Sequence, residues 1–384
     1  MKRILLASTA LVAFAGVAAA DGHAESITFS GSVSMEYNSG GDTVDNLGTA
    51  GTSDGSFDWD GEFDVNFSQA LDNGLTASAD FGFEFADGGN GQGQNLESKD
   101  FTLGLESDTA GLFFGDTAFA ADTHWTAAGD MEADDFSGED GEMVLRGDVS
   151  FGAVDASVSY FYDEASNELD QLSLGLAAEL GAVTVVVAYQ EEIEGGITTT
   201  TTATSETYAI TNSGDAVGGD LDADEVFGLA VSGSFGGADV TFAYASNETE
   251  NANSTGIEIA YPIGDAVTLG AYYVSESVGD DNYGVSVDYT SGPLSVGVFY
   301  NQEQANEDYG VDVDYDLGNG ATLFAGIGDG DGSDQGFYIG GAYDLGSGAE
   351  VRLVHVEADA INSDNEYFGD DDAIGTTLSL SFSF

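Results

Sequence analysis

The chain has 384 residues, of which 70 are Asp or Glu and only five Lys or Arg, for a formal charge of −65 at neutral pH. So few cations exclude nucleic-acid binding, whose affinity comes from neutralising phosphates, whereas a field of this sign attracts cations. The absence of cysteine excludes disulfides and thiolate metal sites, and 42% hydrophobic residues are too many for a disordered chain despite 55 glycines.

In chain order, Lys2 and Arg3, the apolar run from Ile4 to Val17 and the small residues Ala18, Ala19 and Ala20 read as a secretory signal peptide. Cleavage after Ala20 is expected to leave residues 21–384 as one domain. No later run approaches the roughly 18 apolar residues of a transmembrane helix. Alternation begins instead. In FDWDGEFDVNF, Phe57, Trp59, Phe63, Val65 and Phe67 share one parity, and Asp58, Asp60, Glu62 and Asp64 the other. On a strand that gives one oily face and one acidic face. The same period follows through Leu75–Phe85, Phe101–Leu105, Val154–Tyr160, Leu172–Leu180 and Val183–Tyr189. It continues through Phe227–Phe235, Val240–Tyr244, Ile257–Tyr261, Val267–Tyr273 and Tyr283–Tyr289. It ends with Leu294–Tyr300, Tyr309–Tyr315, Ala321–Ile327, Phe337–Tyr343 and Leu378–Phe384, and no helical pattern competes.

Short turns such as Asp72-Asn73-Gly74 and Gly318-Asn319-Gly320 alternate with long polar connections at 38–56, 87–98, 118–141, 192–223, 246–254 and 358–373. Four carboxylates in one strand cannot face a dry core. A soluble sandwich with its apolar faces inward would have to place the apolar faces of about twenty such stretches in one core, so it is the weaker reading. Tyrosines also bracket the apolar stretches, as Tyr283 and Tyr289 do around Val285 and Val287. Six residues of strand span roughly 20 Å, close to a membrane band between aromatic girdles. The expected fold is all-β, a transmembrane antiparallel up-and-down β-barrel with an even strand number from 16 to 20. A barrel of that size holds water.

The opening Ile27-Thr28-Phe29-Ser30-Gly31, the strand Gly111-Leu112-Phe113-Phe114-Gly115-Asp116 and the ending Leu380-Ser381-Phe382-Ser383-Phe384 carry a resemblance. Through them the mature chain resembles the general diffusion porins of Gram-negative bacteria, particularly the alphaproteobacterial, Rhodobacter-like type. That resemblance implies a homotrimer in the outer membrane, in contact with lipid and lipopolysaccharide, with Phe384 as assembly signal. It also implies that the third long loop folds into the lumen. Counted from the N-terminus this is 118–141, with Asp122, Asp130, Glu132, Asp134, Asp135, Glu139 and Asp140 as constriction residues. The family sets such acids against a basic cluster, and this chain departs from that pattern. Beyond residue 3 its cations are Lys99, Arg146 and Arg352, and only the two arginines fall on the polar parity as wall residues. Each arginine has an alternative reading as a structural ion pair, and the loop acids as a solvated surface loop.

Asp329, Asp331 and Asp334 lie at spacings calcium could use, without the closing Glu of a full calcium loop; no cofactor is required. The three histidines His23, His124 and His355 sit in no catalytic motif, so no enzyme is expected. The sequence therefore reads as a passive, cation-preferring pore for ions and small hydrophilic solutes. A substrate-specific channel and a non-conducting surface β-protein are the alternatives. The acidity has a second reading as well, solubility in a high-salt habitat.

Overall fold

The computed structural model describes residues 25–39, 56–86, 95–138, 143–163, 168–191, 224–304, 306–330, 335–358 and 374–384. Residues 1–20, read as the signal peptide, lie outside this description. The strands are β1 (Glu25–Asn38), β2 (Ser56–Ala70), β3 (Thr76–Ala86), β4 (Asn95–Glu106) and β5 (Ala110–Gly115). Then come β6 (Val144–Phe151), β7 (Val154–Asp163), β8 (Glu168–Leu180), β9 (Val183–Gln190) and β10 (Val226–Phe235). They are followed by β11 (Ala238–Asn247), β12 (Ala252–Ile263), β13 (Val267–Glu276), β14 (Asn282–Ser291) and β15 (Leu294–Glu303). The last are β16 (Asn306–Gly318), β17 (Ala321–Gly330), β18 (Gly336–Gly346), β19 (Ala349–Ala358) and β20 (Gly375–Ser383).

Each strand pairs antiparallel with the next, and β1 pairs with β20, so the 20-stranded sheet closes on itself. Closure satisfies the edges that an open sheet would leave bare, a necessity in hydrocarbon, where each unpaired backbone group costs several kcal/mol. At the seam Ser32 lies opposite Ser383 and Asn38 opposite Thr377. Gly31 and Phe384 exchange both backbone hydrogen bonds, at 3.1 and 3.0 Å. The Phe384 ring lies over Gly31, where an added Cβ would meet it at 3.0 Å and the Glu62 carbonyl at 2.4 Å. On the polar side, the Asn38 amide donates to the Thr377 hydroxyl at 2.8 Å.

Exposure is inverted relative to a soluble protein. The side chains that stand out are the apolar ones, from Phe29 and Phe67 through Leu174, Phe242 and Val285 to Ile339 and Leu378. On β14 the apolar Tyr283, Val285, Val287 and Tyr289 are exposed, while Asn282 and Gly284 beside them are buried. A closed sheet with an exposed apolar band is the architecture of a transmembrane barrel. Its strands number 20, the upper end of the expected range. Rings pack along this band: Phe29 stacks on Phe63 at 5.8 Å, and Phe67 meets Phe81 edge-on at 6.2 Å.

Short turns join the strands at one end. The Gly318-Asn319-Gly320 turn has φ of 76°, 57° and 83°, the left-handed region where glycine and asparagine cost least. Two expectations need correction. The connection at 246–254 is a tight turn between β11 and β12, because both strands run further than their apolar residues do. A helix also exists, α1 (Ala120–His124), in the connection between β5 and β6. It is too short to leave a helical period in the sequence.

If the band is the lipid face, Val285→Lys at its middle should destabilise the barrel by about 2–4 kcal/mol. Asp64→Lys on the opposite face should leave the midpoint of urea unfolding from lipid vesicles near the parent value.

Candidate functional site

The connection between β5 and β6 runs along the polar face of β7–β14, held by backbone groups that the wall side chains satisfy. Ala120 N–H donates to the Ser159 hydroxyl at 2.9 Å and Ala121 N–H to Ser173 at 2.8 Å. His124 Nε2 lies 2.8 Å from the Ser157 hydroxyl. Further along, Ala133 N–H donates to Ser254 at 3.0 Å and Ser137 N–H to the Gln190 side-chain carbonyl at 2.8 Å. Two wall carboxylates take backbone donors as well: Glu258 from Gly129 and Glu276 from Glu132, each at 3.2 Å. The Asn282 amide donates to the Asp130 carbonyl at 3.0 Å and to the Glu132 carboxylate at 2.9 Å.

Apolar packing accompanies these bonds. Ala128 and Met131 are buried against Val186, Ala230, Ala243, Ala245 and Val274, with Trp125 and Tyr272 beside them. At the root, Phe119 is buried with Val144 and Phe161. Beneath the segment the wall is thus mostly Ser, Gln, Ala and Val. Charge there would lose its water, and unpaired buried charge is costly.

The expected constriction residues divide into groups. Asp122, Asp130, Glu132 and Asp135 are exposed on the segment, and Asp134 is half-buried. Glu139 and Asp140 lie outside the described residues. Asp134 accepts the Trp125 indole N–H at 2.8 Å, and Trp125 packs on Phe136 at 5.3 Å. Burial pushes the Asp134 carboxyl up to about 6, with Asp135 and Glu276 pushing the same way and the indole hydrogen bond opposing. Burial likewise lowers His124, while the carboxylates of Asp148 and Asp155 act in the other direction.

The arginines have distinct settings. Arg146, only 13% exposed, donates through a terminal nitrogen to the Ala118 carbonyl at 2.6 Å and to Thr123 at 3.2 Å. Its Nε lies 3.3 Å from both carboxylate oxygens of Asp148, and its guanidinium stands 5.2 Å from the centre of the Phe113 ring. Arg146 therefore ties down the root of the segment. Arg352, on β19, lies 4.9 Å from the centre of the Phe324 ring. On β2, Glu62 stands opposite Glu84 of β3 and Asp64 opposite Ser30 of β1, whose hydroxyl is 3.5 Å away. The Ser34 hydroxyl donates to Asp60, and the register sets Asp58 opposite Glu36.

Of the calcium candidates, Asp329 accepts the Tyr309 hydroxyl at 3.1 Å, and Asp331 and Asp334 lie outside the described residues. No cluster of three or more metal-ligating side chains occurs among the described residues. Sequence reasoning missed the wall partners Gln190, Ser254, Glu258, Glu276 and Asn282, and Gln171, whose side-chain carbonyl accepts the Ser137 hydroxyl at 3.3 Å. The available signal was a change of composition on the polar parity, from acids in β2 to Ser, Gly and Ala in β7–β12.

The Asp134 carboxyl makes the seating of the segment pH-dependent. A carboxyl raised in the folded state stabilises the seated segment at low pH, and that contribution fades as pH climbs through about 6. In a Trp59→Phe background, Trp125 fluorescence should titrate with a midpoint near that value. Asp134→Asn should abolish the transition.

The sequence profile of the Gram-negative porin family matches residues 7–366. No curated protein matches the chain. Among solved structures, a triple mutant of the Rhodopseudomonas blastica porin is 14% identical, covers 94% of this chain and 100% of its own, and has a TM-score of 0.40. Two further mutants of the Rh. blastica porin, at 15% and 14% identity, have the same coverage and TM-scores of 0.41 and 0.42. With the profile spanning nearly its whole length, the chain belongs to the Gram-negative porin family, whose members are outer-membrane channels.

Proposed function

We propose that the protein is a passive, cation-preferring pore for ions and small hydrophilic solutes. The observation that carries this reading is that apolar side chains fill the exposed face of the closed sheet, while Asp60, Glu62 and Asp64 of β2 and Asp312, Asp314 and Asp316 of β16 stand at the alternate positions. With the apolar face against lipid, the polar face encloses water, and the segment between β5 and β6 lies inside it as a constriction. The exposed Asp122, Asp130, Glu132 and Asp135 then edge the opening. Asp60, Glu62 and Asp64 line the wall away from the seat, as do Asp312, Asp314 and Asp316 of β16.

The constriction matters for selectivity. Twenty strands about 4.8 Å apart and tilted by about 40° close a ring of roughly 20 Å radius. The Debye length is about 10 Å at 0.1 M salt and about 3 Å at 1 M. Wall carboxylates alone would leave the middle of so wide an opening screened. A segment laid across the lumen brings carboxylates within a Debye length of the path, where they enrich cations and oppose anions. Arg146 is engaged at the root, so the transverse field of an opposing basic cluster has no part in this mechanism. The proposal includes export by a cleaved signal peptide, assembly as a homotrimer, insertion guided by Phe384 and contact with lipopolysaccharide, with membership of the family as its support. A calcium ion at Asp329 has no support beyond the sequence spacing.

In a planar bilayer under a potassium chloride gradient, the reversal potential should report cation preference, larger at 0.1 M than at 1 M. Replacing Asp60, Glu62 and Asp64 together with Asn should shift it toward zero while the barrel still assembles. Anion preference in the parent protein would overturn the reading.

A further inference from the structure

Three glycines sit on the polar face directly under the segment: Gly175 on β8, Gly228 on β10 and Gly256 on β12. A Cβ at Gly175 would lie 2.0 Å from the Ala120 carbonyl oxygen, and one at Gly256 2.1 Å from that of Ala128. At Gly228 it would lie 2.4 Å from the Trp125 indole. Real Cβ contacts essentially never fall below 3.0 Å, so any side chain at these positions displaces what it meets. None of the three has a positive φ, so the backbone itself admits any residue. What excludes a side chain is the segment.

Other glycines of the polar face answer to different neighbours. Gly270 makes room for Ser286, Gly297 for Asp312 and Gly326 for Tyr338, all side chains of the wall itself. Gly175, Gly228 and Gly256 instead meet the segment at Ala120, Trp125 and Ala128, points spread along its first half and across alternate strands. Hydrogen bonds from the segment to Ser173, beside Gly175, and to Ser254, beside Gly256, fix the same contact from the other side.

We infer that Gly175, Gly228 and Gly256 are positioning residues that set how closely the segment lies against the wall, and thereby the width of the opening. This rests on the constriction reading above. Filling a seat leaves the segment one direction to move, away from the wall and toward the channel axis.

The test is single-channel conductance of Gly175→Val, Gly228→Val and Gly256→Val, each made in the full chain and in a chain whose residues 119–138 are replaced by a short Gly-Ser linker. Heat-modifiable migration on gels reports barrel assembly. The expected result is a loss of conductance in the full chain and no change in the linker chain. Gly→Ala variants serve where a valine variant does not assemble, since the Cβ alone already makes the contact. Conductance at or above the parent value in the full chain, with the linker chain conducting more, overturns the seat inference and leaves the constriction standing. A linker chain that conducts like the parent overturns the constriction, and the inference with it. Failure of the alanine variants to assemble also overturns the inference, because the glycines would then serve the wall and not the segment.

Discussion

Every backbone N–H and C=O that enters hydrocarbon must find a partner within the protein, and the rest of this structure depends on that requirement. A sheet meets it only by closing, which the pairing of β1 with β20 accomplishes. Closure then gives the alternating side chains of each strand two different surroundings. With one face toward lipid, apolar residues become the exposed ones, and the other face is left to carry the charge. A chain with 70 acidic residues and five basic ones needs a face turned away from lipid, because unpaired charge is costly in hydrocarbon.

The polar face is not uniform, and desolvation explains the pattern. Where the connection between β5 and β6 lies on the wall, water is displaced, and the wall there is Ser, Gln, Gly, Ala and Val. The carboxylates that remain at its edge, Glu258 and Glu276, accept backbone N–H groups of the segment. Hydrogen bonds to a charged acceptor are worth more than neutral ones and offset part of the lost hydration. The strands outside this seat keep their acids: Asp60, Glu62 and Asp64 on β2, Asp312, Asp314 and Asp316 on β16. One wall thus has a sector covered by the segment and a sector left uncovered, distinguished residue by residue.

Much of this was legible in the sequence because strand alternation is a local signal. Phe57 to Phe67 announces its two faces without reference to any other part of the chain, and so do Tyr283 to Tyr289 and Leu378 to Phe384. The closed ring followed from the number of such stretches and the lack of a dry core that could hold them. What the sequence left hidden was nonlocal. Nothing near Asp130 indicates that Asn282, 152 positions away, will bind its carbonyl, nor does Ala121 point to Ser173. Arg146 shares its parity with Asp148 and so reads as a wall residue. Only the fold shows its guanidinium turned to Ala118 at the segment root. The five-residue α1 was invisible for another reason: it completes little more than one turn, too few residues for a period to emerge.

The seam at Gly31 and Phe384 has a kinetic consequence. Its partners Asn38 and Thr377 are 339 positions apart, whereas every other strand pair joins neighbours in the chain. Bringing such distant residues together from an unfolded chain costs roughly 5 kcal/mol of closure entropy beyond a constant. Hairpins pay little of this, so they form early, and each one brings the two ends of the sheet nearer. As long as β1 and β20 are apart, the sheet carries two raw edges of the kind that pair with other chains, and joining them removes both.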